Sequence, residues 1–376
     1  MTAPAAEPIA EPVRDRPVLT VSLAAVAANW RALKDAAPHA ETAAVVKADG
    51  YGLGALPIAA KLRAIGCTTF FVATLDEGRA LRAGLGQGPR IFVLNGLPPG
   101  AAASFAAHAL TPVLNTLEEV RAWADSGRRP AALHVDTGMS RAGLSPAELD
   151  ALAAEPALLA RLDLALVMSH LACGDEADHP QNRAQLGRFR AALTRLPAAP
   201  ASLAASGGVF LGPEYHFDLV RPGIALYGGQ PMLSGPNPMR ATATLTAEVI
   251  GVRTLQRGDT AGYGATYAAA HETRLAVCNL GYADGIMRSL SNRGAAYIGD
   301  IACPYAGRVS MDLLTIDVSA VPPDLAVRGA QVEIIGPHMS IEEMAARSGT
   351  ANYEILTGLG NRFTRVMLDS QWTRVV

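Results

Sequence analysis

From residue 42 to residue 227, apolar strand-like runs alternate with stretches whose apolar residues recur about every 3.6 positions, and that alternation admits few folds. The runs fall at 42–48, 68–73, 90–96, 110–115, 130–136, 162–170, 201–206 and 217–227, eight in all. The segments between them read as helices; Leu75-Asp76-Glu77-Gly78-Arg79-Ala80-Leu81-Arg82-Ala83-Gly84 shows the spacing and ends on glycine. Strand then helix, repeated, predicts a parallel α/β sheet. Eight such units within about 210 residues suit a closed (β/α)8 barrel of the TIM type better than an open doubly wound sheet. An open sheet would usually carry an early GxGxxG, and none follows the first strand.

A strand at Val18 to Leu23 and a helix around Ala24 to Ala36 precede this rhythm. Before them, residues 1–17 mix Ala and Pro with Glu7, Glu11, Arg14, Asp15 and Arg16, which predicts a flexible tail without an apolar secretion segment. The style changes at Gln230-Pro231-Met232-Leu233-Ser234-Gly235-Pro236, where Pro and Gly crowd together and long helices stop. Strands are predicted at Thr242 to Leu255, Leu275 to Leu280, Ala295 to Ile298, Leu313 to Val318 and Gln331 to Ile335. Ser340 with Glu343 three residues later predicts a capping box opening a helix to Ser348. The expected organisation is a tail at 1–17, a barrel at 18–235 and a mostly β domain at 236–376, with 18–23 fitting either unit.

Half of the 376 residues are hydrophobic, 18% are charged and the formal net charge is −2, so neither a nucleic-acid surface nor a disordered chain is expected. Cys67, Cys173, Cys278 and Cys303 show no CxxC or CxxH spacing, which predicts no metal site and a reducing compartment, the cytoplasm. Nothing reaches the roughly 18 apolar residues of a membrane helix.

In a (β/α)8 barrel the chemistry belongs at the carboxyl ends of the strands. Lys47 ends the first run, in Val45-Val46-Lys47-Ala48-Asp49-Gly50-Tyr51-Gly52. Desolvation there disfavours the ammonium and leaves free amine, the form that captures a carbonyl cofactor. Arg141 follows the fifth run, His170 ends the sixth, Ser206-Gly207-Gly208 ends the seventh, and Arg221-Pro222-Gly223-Ile224 lies in the eighth. Alone, each has an ordinary structural explanation; together they share one rim. Ser206, Gly223 and Ile224 occupy the strands where barrels build phosphate sites. A phosphate site beside such a lysine suggests pyridoxal 5′-phosphate, with Arg221 facing its ring nitrogen. An always-protonated arginine donates to an unprotonated nitrogen and makes a weaker electron sink, which favours quick reprotonation at the same carbon.

These residues resemble those of the alanine racemases, fold-type III pyridoxal phosphate enzymes with a barrel and a β domain. Val45 to Gly54, Asp136 to Gly143, Arg221 to Gly228, Gly262 to Tyr267, Gly281 to Gly285 and Gly307 to Asp312 read like that family's motifs in its order. The resemblance implies interconversion of L- and D-alanine by two bases, supplying D-alanine for peptidoglycan. It makes Lys47 the cofactor anchor and one base, and Tyr263 the other. Tyr51, Ser206, Gly223, Ile224 and Tyr353 become phosphate contacts, and Arg141 a contact of cofactor and substrate. Met311, Asp312 and Tyr282 would stand beside the substrate. It also implies a head-to-tail homodimer in which Tyr263, Tyr282, Met311 and Asp312 serve the partner's site. A phenol, with a reference pKa of about 10, needs a cationic neighbourhood to act as a base near neutrality, and His170 and Arg221 are the expected cations.

Two positions depart from that family's pattern. His134 stands where many members have a lysine, often carbamylated, and Ala205 where an asparagine is common. Neither is one of the two bases, so activity is expected to survive with an altered rate or substrate affinity. A broad-specificity amino-acid racemase of the same fold is the nearest alternative. A non-catalytic pyridoxal-phosphate-binding protein would lack the Tyr263 domain, and a decarboxylase of this fold type would put Glu where Arg221 stands.

Overall fold

In the computed structural model, which describes residues 16–370 and 373–375, the eight-unit rhythm is a closed barrel. The tail expected at 1–17 falls mostly outside the described residues. Seven strands pair in parallel and in chain order: Ala44–Val45, Thr69–Val72, Arg90–Val93, Thr111–Leu114, Pro130–His134, Asp163–Met168 and Ala201–Ser202. The eighth, Leu219–Val220, pairs with Glu41–Thr42, just ahead of the first strand. Its other side bonds the seventh through Asp218 N–H to Ala201 O (3.0 Å) and Arg221 N–H to Ala204 O (2.9 Å). These bonds close the ring. Helices cover the outside and side chains fill the inside, so all four residues of Thr69–Val72 are buried. That two-sided burial is why the strands read as continuous apolar runs and not as alternating ones.

The observed strands are shorter than the predicted runs, most of all at 42–48, 201–206 and 217–227. The run at 42–48 stops at Val45, because Lys47 already begins a turn of another kind. The run at 217–227 is a regular strand only over Leu219–Val220; Pro222 has no N–H to extend the ladder, and a 3₁₀ turn follows at Ile224–Tyr227.

A nine-stranded sheet takes up the C-terminal part. Its spine is the 13-residue strand Ala243–Leu255, which pairs antiparallel with Gln331–Ile335 along its first half and with Thr273–Cys278 along its second. The opening strand Val18–Ser22 lies in this sheet, between Ala243–Leu255 and Thr364–Ser370. Pro17 O accepts from Thr364 N–H at 2.9 Å, so this pairing begins at residue 17. Ser22 then accepts from Ala25 N–H at 3.1 Å and caps the helix Leu23–Ala36, which leads back to the barrel. Ser340 caps Ile341–Ser348 through Glu343 N–H (3.1 Å), but the reciprocal half of the expected box is not made: the Glu343 carboxylate pairs with Arg347 at 2.6 Å. Among the described residues no helix is long and apolar enough to cross a membrane.

Candidate active site

Lys47 heads a left-handed helical turn. Ala48, Asp49, Gly50 and Tyr51 have φ between +51° and +62°, and Gly52 follows at +81°. Left-handed backbone costs about 1–2 kcal/mol per non-glycine residue, so the three here store several kcal/mol. Neighbouring groups offset this. Glu77 accepts from Ala48 N–H at 2.8 Å, Asp49 Oδ1 from Ala55 N–H at 2.9 Å, and Arg365, on the C-terminal sheet, donates to Gly52 O at 2.7 Å. The buried Tyr51 ring stacks on Tyr227 with centroids 4.6 Å apart, and Tyr227 in turn donates to Val45 O at 2.9 Å. A β-carbon at Gly52 would lie 2.4 Å from Leu356 O, so only glycine allows the turn to press against the helix Asn352–Thr357.

The turn aims Lys47 into a cavity of about 610 Å³. Tyr51, Arg141, His170, Ser206, Arg221, Gly223, Ile224 and Tyr353 line the same cavity. Burial, and then the Arg141 guanidinium, lower the Lys47 pKa against the pull of Glu77. Opposite, Ser206 Oγ accepts from Gly223 N–H (2.9 Å) and Ala225 N–H (3.3 Å), leaving its own O–H to donate. A β-carbon at Gly223 would lie 2.2 Å from the Tyr51 hydroxyl, so the Tyr51 and Ser206 hydroxyls meet bare backbone at this corner. Hydroxyls and open main chain gathered at the end of barrel strands make an anion cradle.

Arg221 is 3% exposed and, among the described residues, has no carboxylate partner. Its guanidinium donates to Ser169 O at 2.6 Å and to the Ser202 hydroxyl. Burial lowers its pKa to about 9, and neutral acceptors alone hold the charge. Such a group suits a neutral lone-pair acceptor in the cavity, such as an unprotonated ring nitrogen.

The histidines correct one expectation. Burial, followed by Arg221 and Arg141, pushes His170 down to about 3, so it is neutral near pH 7 and is not the cation expected beside a tyrosinate. His134 is pushed to about 4, by burial first and then Arg221. Its tautomer is fixed as well. Asn115 spends both amide hydrogens on Leu94 O (3.1 Å) and Val113 O (2.9 Å), so its Oδ1 can only accept, and His134 Nδ1 must donate across the 2.8 Å contact. His134 Nε2 is then a bare lone pair on the wall that Arg141 and Arg221 share.

Tyr263, Tyr282, Met311 and Asp312 are not in this cavity. They crowd together on the C-terminal domain: Tyr282 N–H donates to Ser310 O and Ala283 N–H to Met311 O, both at 2.9 Å, and Gly264 sits against the Arg308 guanidinium. Tyr263 is 71% exposed and Met311 54%, unusual for large apolar groups on a settled surface. Gly262, Gly264 and Ala265 all have positive φ, which the two glycines accept freely and which strains the turn beside Tyr263 only at Ala265. Asp312 is tied by Arg362 at 2.7 Å, which also reaches the buried Asp284 at 3.2 Å.

Comparison with known proteins matches residues 21–231 to the family model described as alanine racemase, N-terminal domain, and residues 242–367 to alanine racemase, C-terminal domain. The chain belongs to the alanine racemase family. A catabolic alanine racemase of Agrobacterium fabrum is 51% identical over 352 residues, 92% of this chain and 91% of that one. The alanine racemase of Rhodospirillum rubrum is 49% identical over 93% of this chain and 95% of its own. Among solved structures, alanine racemase from Bartonella henselae, with covalently bound pyridoxal phosphate, superposes with a TM-score of 0.90 at 38% identity, covering 94% of this chain and 99% of that one.

Several residues that shape this racemase cavity escape a reading of motifs. Asn95, on the cavity wall, and Asn115, which holds His134, lie within two residues of the ends of the third and fourth barrel strands, so the strand-end rule that picks out Lys47 and His170 also points to them. Ser169 and Ser202 also stand at the ends of the sixth and seventh strands, but that they hold Arg221 depends on tertiary neighbours, as does the Glu77 bond to Ala48.

Proposed function

We propose that this chain racemises alanine with pyridoxal 5′-phosphate, using Lys47 and Tyr263 as the two bases. The observation that carries this reading is the pairing, in one cavity, of an amine with a lowered pKa and a buried guanidinium held only by neutral acceptors. The residues fit the cofactor. Lys47 suits its carbonyl, the Ser206 and Tyr51 hydroxyls and the Gly223–Ile224 backbone suit its phosphate, and Arg221 suits its ring nitrogen. When bound, the cofactor draws electron density from the substrate's Cα–H bond as the proton leaves.

The chain's own residues do the rest. Arg141, exposed at the cavity wall, anchors the substrate carboxylate. The Lys47 amine takes or returns the α-proton on one face. Inversion requires a second acid–base group on the opposite face, and Tyr263 fills that role. Because Tyr263 stands on a patch outside this chain's cavity, it serves the cavity of a second copy, together with Tyr282, Met311 and Asp312. The working unit is a homodimer with shared sites. His134 presents Nε2 as an acceptor for the Arg141 guanidinium, and Tyr353, whose pKa burial raises to about 12, stays a neutral hydroxyl at the mouth. Run from L-alanine, the reaction supplies D-alanine.

The test is α-proton exchange and chirality change with a panel of L- and D-amino acids in deuterated solvent. Alanine should exchange and invert well ahead of larger residues; no inversion of alanine would falsify the reading, and equal rates across the panel would favour a broad-specificity racemase. Tyr263→Phe should keep the cofactor's absorbance and lose deprotonation of one enantiomer far more than of the other. Wild-type behaviour from that variant would remove Tyr263 from the pair.

A further inference from the structure

Among the described residues, metal-ligating side chains of three kinds meet at one place away from the proposed bases: Cys173, Glu176 and His179, whose ligand atoms all lie within 4.8 Å of one another. The backbone explains why. Glu176 N–H donates to Cys173 O (3.1 Å) and His179 N–H to Glu176 O (3.2 Å), two successive three-residue turns. Such turns return to the same face every third residue, so positions 173, 176 and 179 point the same way. Buried side chains pin the segment at both ends. Gln185 accepts from Ala172 N–H at 2.8 Å, and Asn182, 1% exposed, donates to Glu176 O at 2.8 Å. The second Asn182 amide atom, Oδ1, has no partner.

We propose that Cys173, Glu176 and His179 form a three-ligand site for zinc. A thiolate, an imidazole and a carboxylate on one face suit zinc, whereas calcium and magnesium favour oxygen alone. The pattern has a single thiol, so it lies outside the paired-cysteine spacings that the sequence excludes. Ligand atoms of a tetrahedral zinc site stand roughly 3.3–3.6 Å apart, so closure needs about 1 Å of side-chain movement, with the fourth position left to water. The metal displaces the thiol proton to solvent as the Zn–S bond forms. His179 gives up a bond in the process: its Nδ1 now accepts from Gln181 N–H at 3.2 Å and caps the helix Pro180–Leu193, and a metallated ring must carry either the metal or a proton on that nitrogen. This competition sets affinity below that of a preformed structural zinc site. The segment also abuts the phosphate cradle, since a β-carbon at Gly207 would lie 2.3 Å from Gly174 O.

The experiment titrates Zn²⁺, and separately Co²⁺, into chelator-treated holoenzyme. One equivalent of Zn²⁺ per chain should bind, and Co²⁺ should show thiolate-to-metal charge transfer that Cys173→Ser removes. Cys173→Ser and His179→Gln should each weaken Zn²⁺ binding by about tenfold or more. Glu176→Gln, which spares the helix cap and the thiol, should weaken it as well. Because Cys67, Cys278 and Cys303 are buried, iodoacetamide should modify Cys173 first, and Zn²⁺ should slow that reaction. Zinc binding that survives all three substitutions, or a Co²⁺ complex without the thiolate band, overturns the site.

Discussion

A guanidinium with only neutral partners, as at Arg221, keeps part of its hydrogen-bonding capacity for whatever enters the cavity. In the proposed mechanism that reserve goes to a ring nitrogen, and a cationic donor there disfavours protonation of the nitrogen. Lys47→Ala should abolish both racemisation and the cofactor's covalent absorbance, read by spectrophotometry after dialysis. The histidines make a prediction about stability. His134 and His170 titrate near 4 and 3 in the folded chain against about 6.5 when unfolded, so below pH 6.5 the unfolded chain binds protons that the folded one does not. Stability should therefore fall as pH drops from about 7.5 to 5.5, by about 1 kcal/mol per histidine. Denaturant midpoints across that range measure it, and His134→Gln should flatten the slope; an unchanged slope would mean His134 titrates normally. At this scale the strand-end lysine, arginine and histidine were legible in the sequence because the barrel rule puts chemistry there. The neutrality of His170 was not, since it arises from burial beside arginines distant in the chain.

Two helix starts with similar sequence show how elements support the site differently. Thr74 and Glu77 make a full capping box, and Glu77 reaches beyond it to Ala48, so one carboxylate holds both a helix and the left-handed turn that carries Lys47. Ser340 caps without reciprocity. Glu77→Ala should thus cost about 1–2 kcal/mol of stability and also loosen cofactor retention, whereas Glu343→Ala should cost less and leave cofactor affinity untouched. Denaturation curves and cofactor-release rates separate the two cases; equal effects would show that the Glu77–Ala48 bond contributes nothing. Although the reciprocal half expected from Glu343 is not made, the Ser340 cap was readable because caps are local chemistry. The left-handed turn was not, because hydrophobic periodicity carries no information on the sign of φ at Ala48, Asp49 or Tyr51.

Across the whole molecule, the barrel and the C-terminal sheet are stitched together by the chain's first strand, Val18–Ser22, and by Arg365 bonding the Lys47 turn. The change of style near residue 231 marks where long runs of alternating strand and helix stop in the sequence. The sequence left the position of 18–23 open because strand pairing across more than 200 residues leaves no local trace. The most consequential arrangement at this scale is that half of the proposed machinery lines the cavity and half, Tyr263 with Tyr282 and Met311, stands exposed elsewhere. Co-expressing a Lys47→Ala chain with a differently tagged Tyr263→Phe chain and isolating the mixed dimer tests that arrangement directly. If sites are shared, one site of the hybrid has both bases intact, and about half of wild-type activity should return from two nearly inactive parents. A hybrid no more active than its parents would contradict the account, because each chain would then need its own Lys47 and its own Tyr263.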